Sequence, residues 1–252
     1  MITVSDLRVS YDGTEVLHGI DASFPDGKIT AIIGPNGCGK STTLRSLVRM
    51  APQISGRIML DDQDLSLLSP QELARRIAYL PQSRSVPDIT VERLVLHGRF
   101  PYLSLPRRYR REDWETVDRA LETVGLKNLR ARRMENLSGG QRQKAYFAMV
   151  LAQDTDVILM DEPTTFLDIK NQFELLDRAR LLADAGKTVV MILHDFESML
   201  RYADHVILIS DGRVLKCGSA KEVLRSDELI KAFGVTPCFY EADDGTYCYV
   251  RP

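Results

Sequence analysis

No stretch of this 252-residue chain holds the roughly 20 consecutive apolar residues that a membrane-crossing helix needs, and its start lacks the basic, apolar and small-residue succession of a secretory signal. The chain is therefore expected to have no membrane path of its own. Cysteine is scarce: Cys38, Cys217, Cys238 and Cys248 show no metal-ligand spacing, which excludes a zinc ribbon, and they suit a reducing cytosol. Cys238 and Cys248 flank an expected Asp244-Gly245 turn. A two-residue hairpin there puts Cys248 opposite Glu241, so a cross-strand disulfide is not expected. Neither sign of charge prevails, with 33 Lys and Arg against 35 Asp and Glu and a pI near 6.1, so no global basic field favours nucleic acid. Internal repeats and low-complexity segments are missing too. What remains is 44% apolar, enough to bury a sizeable core as one domain or two closely joined lobes.

Glycine is concentrated where it has chemical consequences. Gly34-Pro35-Asn36-Gly37-Cys38-Gly39-Lys40-Ser41 matches the phosphate-loop pattern G-x-x-x-x-G-K-[ST] at every position. The preceding Ile29-Thr30-Ala31-Ile32-Ile33 reads as a short buried strand, and Thr42-Thr43-Leu44-Arg45-Ser46-Leu47 after it as the opening of a helix. Strand, glycine loop and helix in that order surround an anion with backbone N–H groups at the positive end of a helix. Lys40 is the candidate partner of the β- and γ-phosphates and Ser41 a candidate Mg²⁺ ligand, with Thr42 beside them. Cys38 reads as a small filler. Without a ligand the same residues make a glycine turn capping a helix, and the loop alone does not separate an ATPase from a GTPase or a kinase.

Further along, Asp156-Val157-Ile158-Leu159-Met160-Asp161-Glu162 runs four apolar residues into two carboxylates. A parallel strand covered on both faces has that pattern, and its C-terminal end opens on the crevice where α/β sheets bind ligands. Asp161 is a candidate for the Mg²⁺ shell and Glu162 for polarising an attacking water. A solvated acidic turn is the alternative.

Between these two segments lies Leu137-Ser138-Gly139-Gly140-Gln141. Ser138 and Gln141 form an S-x-x-Q capping box ahead of the apolar Ala145-Tyr146-Phe147-Ala148-Met149-Val150-Leu151. Capping does not explain two adjacent glycines in a first turn, each costing up to about 1 kcal/mol of helix propensity relative to Ala. Bare backbone at a helix start is a second anion site, and the economical arrangement is two ATPs shared between two chains.

In this order of motifs the chain resembles the nucleotide-binding subunits of ATP-binding-cassette (ABC) transporters, over nearly its whole length. The resemblance implies that Tyr11 stacks on adenine, and that Gln82, in Ile77-Ala78-Tyr79-Leu80-Pro81-Gln82, senses Mg²⁺ and the attacking water. It implies that Ser138, Gly139, Gly140 and Gln141 meet the γ-phosphate bound to the opposite subunit. It further implies that the Leu167-Asp168 loop crosses the dimer interface and that His194 is a switch histidine. Tyr11 also reads as a strand-end aromatic beside Asp12-Gly13, Gln82 as a loop amide, and His194 as a satisfied residue after an apolar strand. His18, His97 and His205 carry no assigned role.

The implied fold is an α/β P-loop NTPase with a mostly parallel core sheet, an N-terminal antiparallel β subdomain and an inserted helical subdomain. Its expected division is a core of residues 1–83 and 151–252 with a helical lobe over 84–150. ATP and Mg²⁺ are the implied ligands. The implied partners are a second copy of the chain, two membrane permease subunits whose loops seat in the helical lobe, and a substrate-binding protein acting with the permease, at the cytoplasmic face of the membrane. Nucleic acid is not among them. Gly98-Arg99-Phe100-Pro101-Tyr102 looks like the G-R-x-P stretch of importers for iron chelates and vitamin B12, and Phe166, where many relatives carry Ala, favours the same group. A soluble ATPase of metal-cluster assembly, or an importer of another solute, is the alternative. DNA-repair members are disfavoured because Lys40 to Ser138 leaves no room for a long coiled coil. Arg107-Arg108-Tyr109-Arg110-Arg111 reads as a solvated loop, or as a contact with lipid headgroups or with an acidic loop of a membrane partner.

Overall fold

The computed structural model describes every residue except Ser83, Arg84, Phe166, Asp243, Asp244 and Pro252, and omits the side chains of Glu241, Ala242, Gly245 and Thr246. The chain forms two compact units, Met1–Leu67 with Arg178–Pro252, and Leu68–Asp177. In chain order the elements are β1 (Ile2–Tyr11), β2 (Thr14–Phe24), β3 (Ile29–Ile33), α1 (Lys40–Ser46), β4 (Gln53–Leu60), β5 (Gln63–Asp64), α2 (Pro70–Arg76), β6 (Ile77–Leu80) and α3 (Val91–His97). After these come α4 (Arg111–Thr123), α5 (Gly139–Gln153), β7 (Val157–Met160), α6 (Ile169–Asp184), β8 (Thr188–Ile192), α7 (Phe196–Tyr202), β9 (His205–Ser210), β10 (Arg213–Gly218), α8 (Ala220–Leu224), α9 (Asp227–Phe233), β11 (Thr236–Ala242) and β12 (Gly245–Arg251). Among the described residues no helix is long and apolar enough to cross a membrane.

In the first unit, the alternating pattern of the N-terminal segment becomes an antiparallel sheet in the order β2-β1-β4-β5. Ile2, Leu7, Val9, Leu17, Ile20 and Phe24 are all fully buried on its inner face. The continuous apolar runs behave differently: every residue of β3 and β8 is buried, and both lie parallel to their neighbours, β3 between β8 and β9. Strands covered on both faces cannot alternate in polarity.

The C-terminal hairpin departs from its expected register. Cys248 pairs with Phe239 and Glu241 with Thr246, because the connection falls between Ala242 and Gly245, one residue earlier than expected. The observed register sets apolar against apolar, Phe239 on Cys248 and Pro237 on Val250. Asp244, the first residue of the expected turn, lies outside the described residues. Cys238 pairs with Tyr249, so the two cysteines stand on alternate ladder positions that point to opposite faces. All four thiols are free.

The second unit is mostly helical around the parallel pair β6 and β7. α2 opens on Ser69, with Pro70 at the first helical position and a closed capping box to Glu72, as its S-P-x-E start predicts. The Gly98-to-Tyr102 stretch proves to be a structural knot. A Cβ on Gly98 would stand 2.3 Å from the carbonyl oxygen of Met149, so glycine is what lets the end of α3 press against α5. Arg99 donates to Asp113 Oδ1 at 3.0 Å and to the Ala152 carbonyl at 3.0 Å, and stacks at 4.0 Å over the Tyr102 ring. The Tyr102 hydroxyl donates to the Gln153 carbonyl at 2.9 Å. Two of the last carbonyls of α5 are thus satisfied by side chains.

Arg99 and Asp113 are 13% and 8% exposed, so removing one partner strands a buried charge. Arg99→Ala is expected to cost about 3–5 kcal/mol, read as a lower midpoint in urea and thermal unfolding. Arg99→Lys should recover only part of it, since an ammonium cannot reproduce the fork and the ring stacking.

Candidate functional site

In the first unit the phosphate-loop residues leave the C-terminal end of β3. Ile32 pairs with Ile192 of β8 and Ile207 of β9, so Gly34 and His194, two residues past β8, emerge at one edge of the same parallel sheet. Ligands gather at that edge in α/β folds. The course of the loop is set by close approach. Gly34 has φ 152°, and a Cβ there would lie 1.9 Å from the Ile209 carbonyl oxygen; Gly39 has φ 105°, and its Cβ would meet Leu17 at 2.6 Å. No side chain fits at either position. The Gly212 N–H donates to the Cys38 carbonyl at 3.1 Å, and the His18 N–H to the Gly212 carbonyl at 2.9 Å, tying the loop to the β9–β10 turn and to β2.

Lys40 is 5% exposed, and its ammonium donates to the carbonyls of Gly34 and Pro35, each at 2.8 Å. The cation is therefore already inside the loop. Asn36 and Gly37 form its exposed tip, and Ser41 and Thr42 stand half-buried in the first turn of α1. Cys38 is 7% exposed and fills the space where a Gly34 side chain would be, as a small filler should. Burial pushes its thiol above the ordinary range, against the pull of the Lys40 charge. His194 is exposed and borders a cleft of about 450 Å³ whose other residues include Phe233, Val235, Cys248 and Val250. Tyr11 ends β1, half-buried and paired with Thr14 across the Asp12-Gly13 turn.

In the second unit the same edge principle operates. Leu80 pairs with Met160, so Gln82, two residues past β6, and Asp161-Glu162, directly past β7, come together. Gln82 Nε2 donates to Glu162 Oε2 at 2.5 Å, and the Thr165 hydroxyl donates to that oxygen at 3.2 Å. Asp161 is fully buried and accepts from the Tyr79 hydroxyl at 3.1 Å. Glu162 occupies the left-handed region at φ 49°, a conformation that costs a non-glycine residue about 1 kcal/mol or more and clusters at functional sites. Gln143 of α5 holds the turn from behind, donating to the Pro163 carbonyl at 2.7 Å.

Tyr79, Thr165 and Gln143 carry no local motif that marks them as part of the site. Tyr79 stands opposite Leu159, on the face that Asp161 continues two residues later, and that signal exists only once the register is known.

The helix start at Ser138 forms as its sequence predicts. Ser138 Oγ accepts from the Gln141 N–H at 3.3 Å, and Gln141 Oε1 accepts from the Ser138 N–H at 3.1 Å. A Cβ on Gly139 would meet nothing within 4 Å, one on Gly140 only ordinary contacts from 3.6 Å outward, and neither residue has a positive φ. Among the described residues nothing requires these glycines. Asp168 opens α6: it accepts from the Asn171 N–H and side-chain amide, each at 2.8 Å, and those bonds hold its carboxyl below the usual range. Phe166 lies outside the described residues.

The family model described as ABC transporter matches residues 17–165. The chain is 42% identical to the ferric enterobactin transport ATP-binding protein FepC of Escherichia coli over 231 residues, covering 91% of this chain and 85% of that protein. It is 41% identical to the probable siderophore transport system ATP-binding protein YusV of Bacillus subtilis, covering 93% and 86% respectively. Among solved structures, a metal-chelate type ABC transporter in an inward-facing conformation superposes with a TM-score of 0.85 at 27% identity, covering 100% of this chain and 96% of that one.

The burial of Cys38 and the suppressed ionisation of its thiol set its reactivity. Alkylation of the native chain should be slow at neutral pH and rise with pH beyond the range where an ordinary thiol has already ionised. Saturating ATP should slow it further. Peptide mass spectrometry of timed iodoacetamide reactions measures this, and rapid labelling at pH 7 would contradict it.

Proposed function

The chain belongs to the ATP-binding family of ABC transporters, and from that membership we propose that it powers import of an iron chelate, or of a related metal chelate or corrinoid, through ATP-driven closure of a sandwich dimer. Its enzymatic activity is ATP hydrolysis coupled to transport. The names of its relatives support the chelate class. The dimer reading rests on one observation: the helix start at Ser138 is fully capped by its own Gln141, yet carries two glycines that nothing among the described residues needs. They leave bare backbone for the γ-phosphate of an ATP held by Lys40 and Ser41 of a second copy.

Within this reading Glu162 is the general base, and Gln82 and Thr165 aim its carboxylate. His194 positions the water and the γ-phosphate, Tyr11 stacks on adenine, and Asp168 lies at the dimer loop. The ligand atoms suit Mg²⁺: the Ser41 hydroxyl, the Asp161 carboxylate and the Gln82 amide are oxygen donors, which a hard cation prefers. Gln82 commits its amide N–H to Glu162, so its oxygen is the atom left for a metal, and the fully buried Asp161 is the kind of carboxylate that coordination stabilises. When bound, Mg²⁺ would neutralise charge on the β- and γ-phosphates.

Two integral permease subunits, served by a substrate-binding protein on the far side, complete the assembly at the cytoplasmic face. The second unit offers a seat for a permease segment, a groove of about 640 Å³ lined by Pro70, Ala74, Phe100, Pro101 and Leu103, with Arg75 and Arg107 among its edges. Gln71 and Arg75 fix one wall by donating to the Pro101 carbonyl at 2.7 and 2.8 Å.

Tyr79→Phe removes the phenol from Asp161 and should weaken divalent-cation affinity roughly tenfold, the lower end for groups that orient a metal ligand. Mn²⁺ titration followed by electron paramagnetic resonance, beside ATP binding in EDTA, separates this effect from nucleotide affinity, which should not change. Glu162→Gln should keep ATP binding and lose roughly 10²- to 10⁴-fold in turnover. Ser138→Arg, assayed alongside it, should bind a first ATP yet neither dimerise nor hydrolyse. Sedimentation of each variant with ATP reads the dimer, and an isolated monomer of Ser138→Arg that still hydrolyses would overturn the sandwich.

A further inference from the structure

The five residues Arg107 to Arg111 contain four arginines in a chain whose formal charge is −2. All four are exposed. Among the described residues only Arg111 has a carboxylate partner, Glu115 at 2.8 Å, in an ion pair exposed on both sides of the kind that contributes little. Arg107 lies 4.7 Å over the Phe100 ring, which neutralises nothing. Two residues before the run, Leu105 is 86% exposed and Phe100 is 48% exposed.

This loop is not an unsupported tail. Tyr109 meets Trp114 edge-on at 6.4 Å, Arg93 lies 5.9 Å from the same indole, and the Arg110 N–H is held by Asp113 Oδ2 at 2.8 Å. Asp113 is the carboxylate already bound by Arg99. The C-terminal half of the arginine run is thus anchored, and its presentation to a ligand costs little further ordering.

We propose that residues 103–111 are a lipid-contact element: the arginines bind anionic headgroups, and Leu105 enters the interface between them. The pattern is a projecting apolar residue flanked by cations with aliphatic stems, which is how peripheral segments seat on a charged bilayer. Leu103, Leu105 and Arg107 also line the concave groove, which suits a peptide, whereas Arg108, Arg110 and Arg111 lie outside its lining and stand exposed, where a charged surface rather than a peptide cleft would meet them. This deepens the membrane-subunit reading above, since a chain seated on a permease holds this loop near the surface for which it is charged. Each arginine near an anionic leaflet strengthens binding roughly fivefold, and salt screens the effect.

The test is cosedimentation of the full chain with vesicles of phosphatidylcholine alone or with one third phosphatidylglycerol, at low and high salt. Wild type should bind the anionic vesicles at least tenfold more tightly at low salt and lose that preference at high salt. Arg108→Gln/Arg110→Gln/Arg111→Gln should abolish it with an unchanged melting temperature, and Lys at the same three positions should restore most of it. Equal binding of wild type to both vesicles, or full anionic binding by the Gln variant, overturns the proposal. So does loss of permease co-purification in lipid-free detergent by the Gln variant with no vesicle effect, which would give these arginines to an acidic protein segment. Failure of the wild type itself to co-purify with a permease would strike the transport reading and leave the vesicle result standing.

Discussion

Parallel strands buried on both faces are the constraint on which the rest depends. β3, β7 and β8 expose no residue to solvent, so none of them can carry a polar functional side chain along its length. The polar candidates for chemistry fall just past their C-terminal ends: the glycine loop after β3, Asp161 and Glu162 after β7, His194 after β8. The apolar content of these strands and the polarity of the loops are therefore two aspects of one requirement. Within each unit the strand ends also order the backbone: the Leu193 N–H donates to the Ile32 carbonyl at 3.3 Å in the first, and the Asp161 N–H to the Leu80 carbonyl at 2.8 Å in the second.

Glycine acts in three physically distinct ways along this chain. Gly34 and Gly39 combine a positive φ with contacts that exclude a Cβ, so they are demanded by the loop itself. Gly98 is demanded by neighbouring helices, and with Arg99 and Tyr102 it turns a stretch that resembles a subfamily marker into the support of a groove wall. Gly139 and Gly140 are demanded by nothing among the described residues, despite their helix-propensity cost, which is why the proposed sandwich gives their bare backbone to a partner. Asp168 shows the converse: its carboxylate accepts two bonds from Asn171 in opening α6, a demand met within the chain.

Charge is distributed with similar economy. The chain is near neutral, and its cations are mostly committed: Lys40 to loop carbonyls, Arg99 to Asp113, Lys144 to Glu174 at 2.6 Å. Arg107, Arg108 and Arg110 depart from that pattern together, within one short run. Because the elements around them are anchored by aromatic and ion-pair contacts, their excess charge is held in place, and a field of fixed position is what selects a charged surface over solvent.

Local chemistry was legible in the residue order. The phosphate loop, the capping boxes at Ser69 and Ser138, the fully buried strands and the pairing of Asp161 with Glu162 all obey short-range rules, since a cap or a glycine turn is decided by residues within a few positions. What the sequence by itself could not determine were relations between segments far apart in the chain. Tyr79 reaches Asp161 across 82 positions and Gln82 reaches Glu162 across 80, and both depend on the register of β6 against β7. The terminal hairpin slipped from its expected pairing for the same reason: cross-strand packing, rather than the turn residue read locally, selected Phe239 as the partner of Cys248. Segment character is set by neighbours in sequence; the geometry of the site is set by which segments tertiary burial brings together.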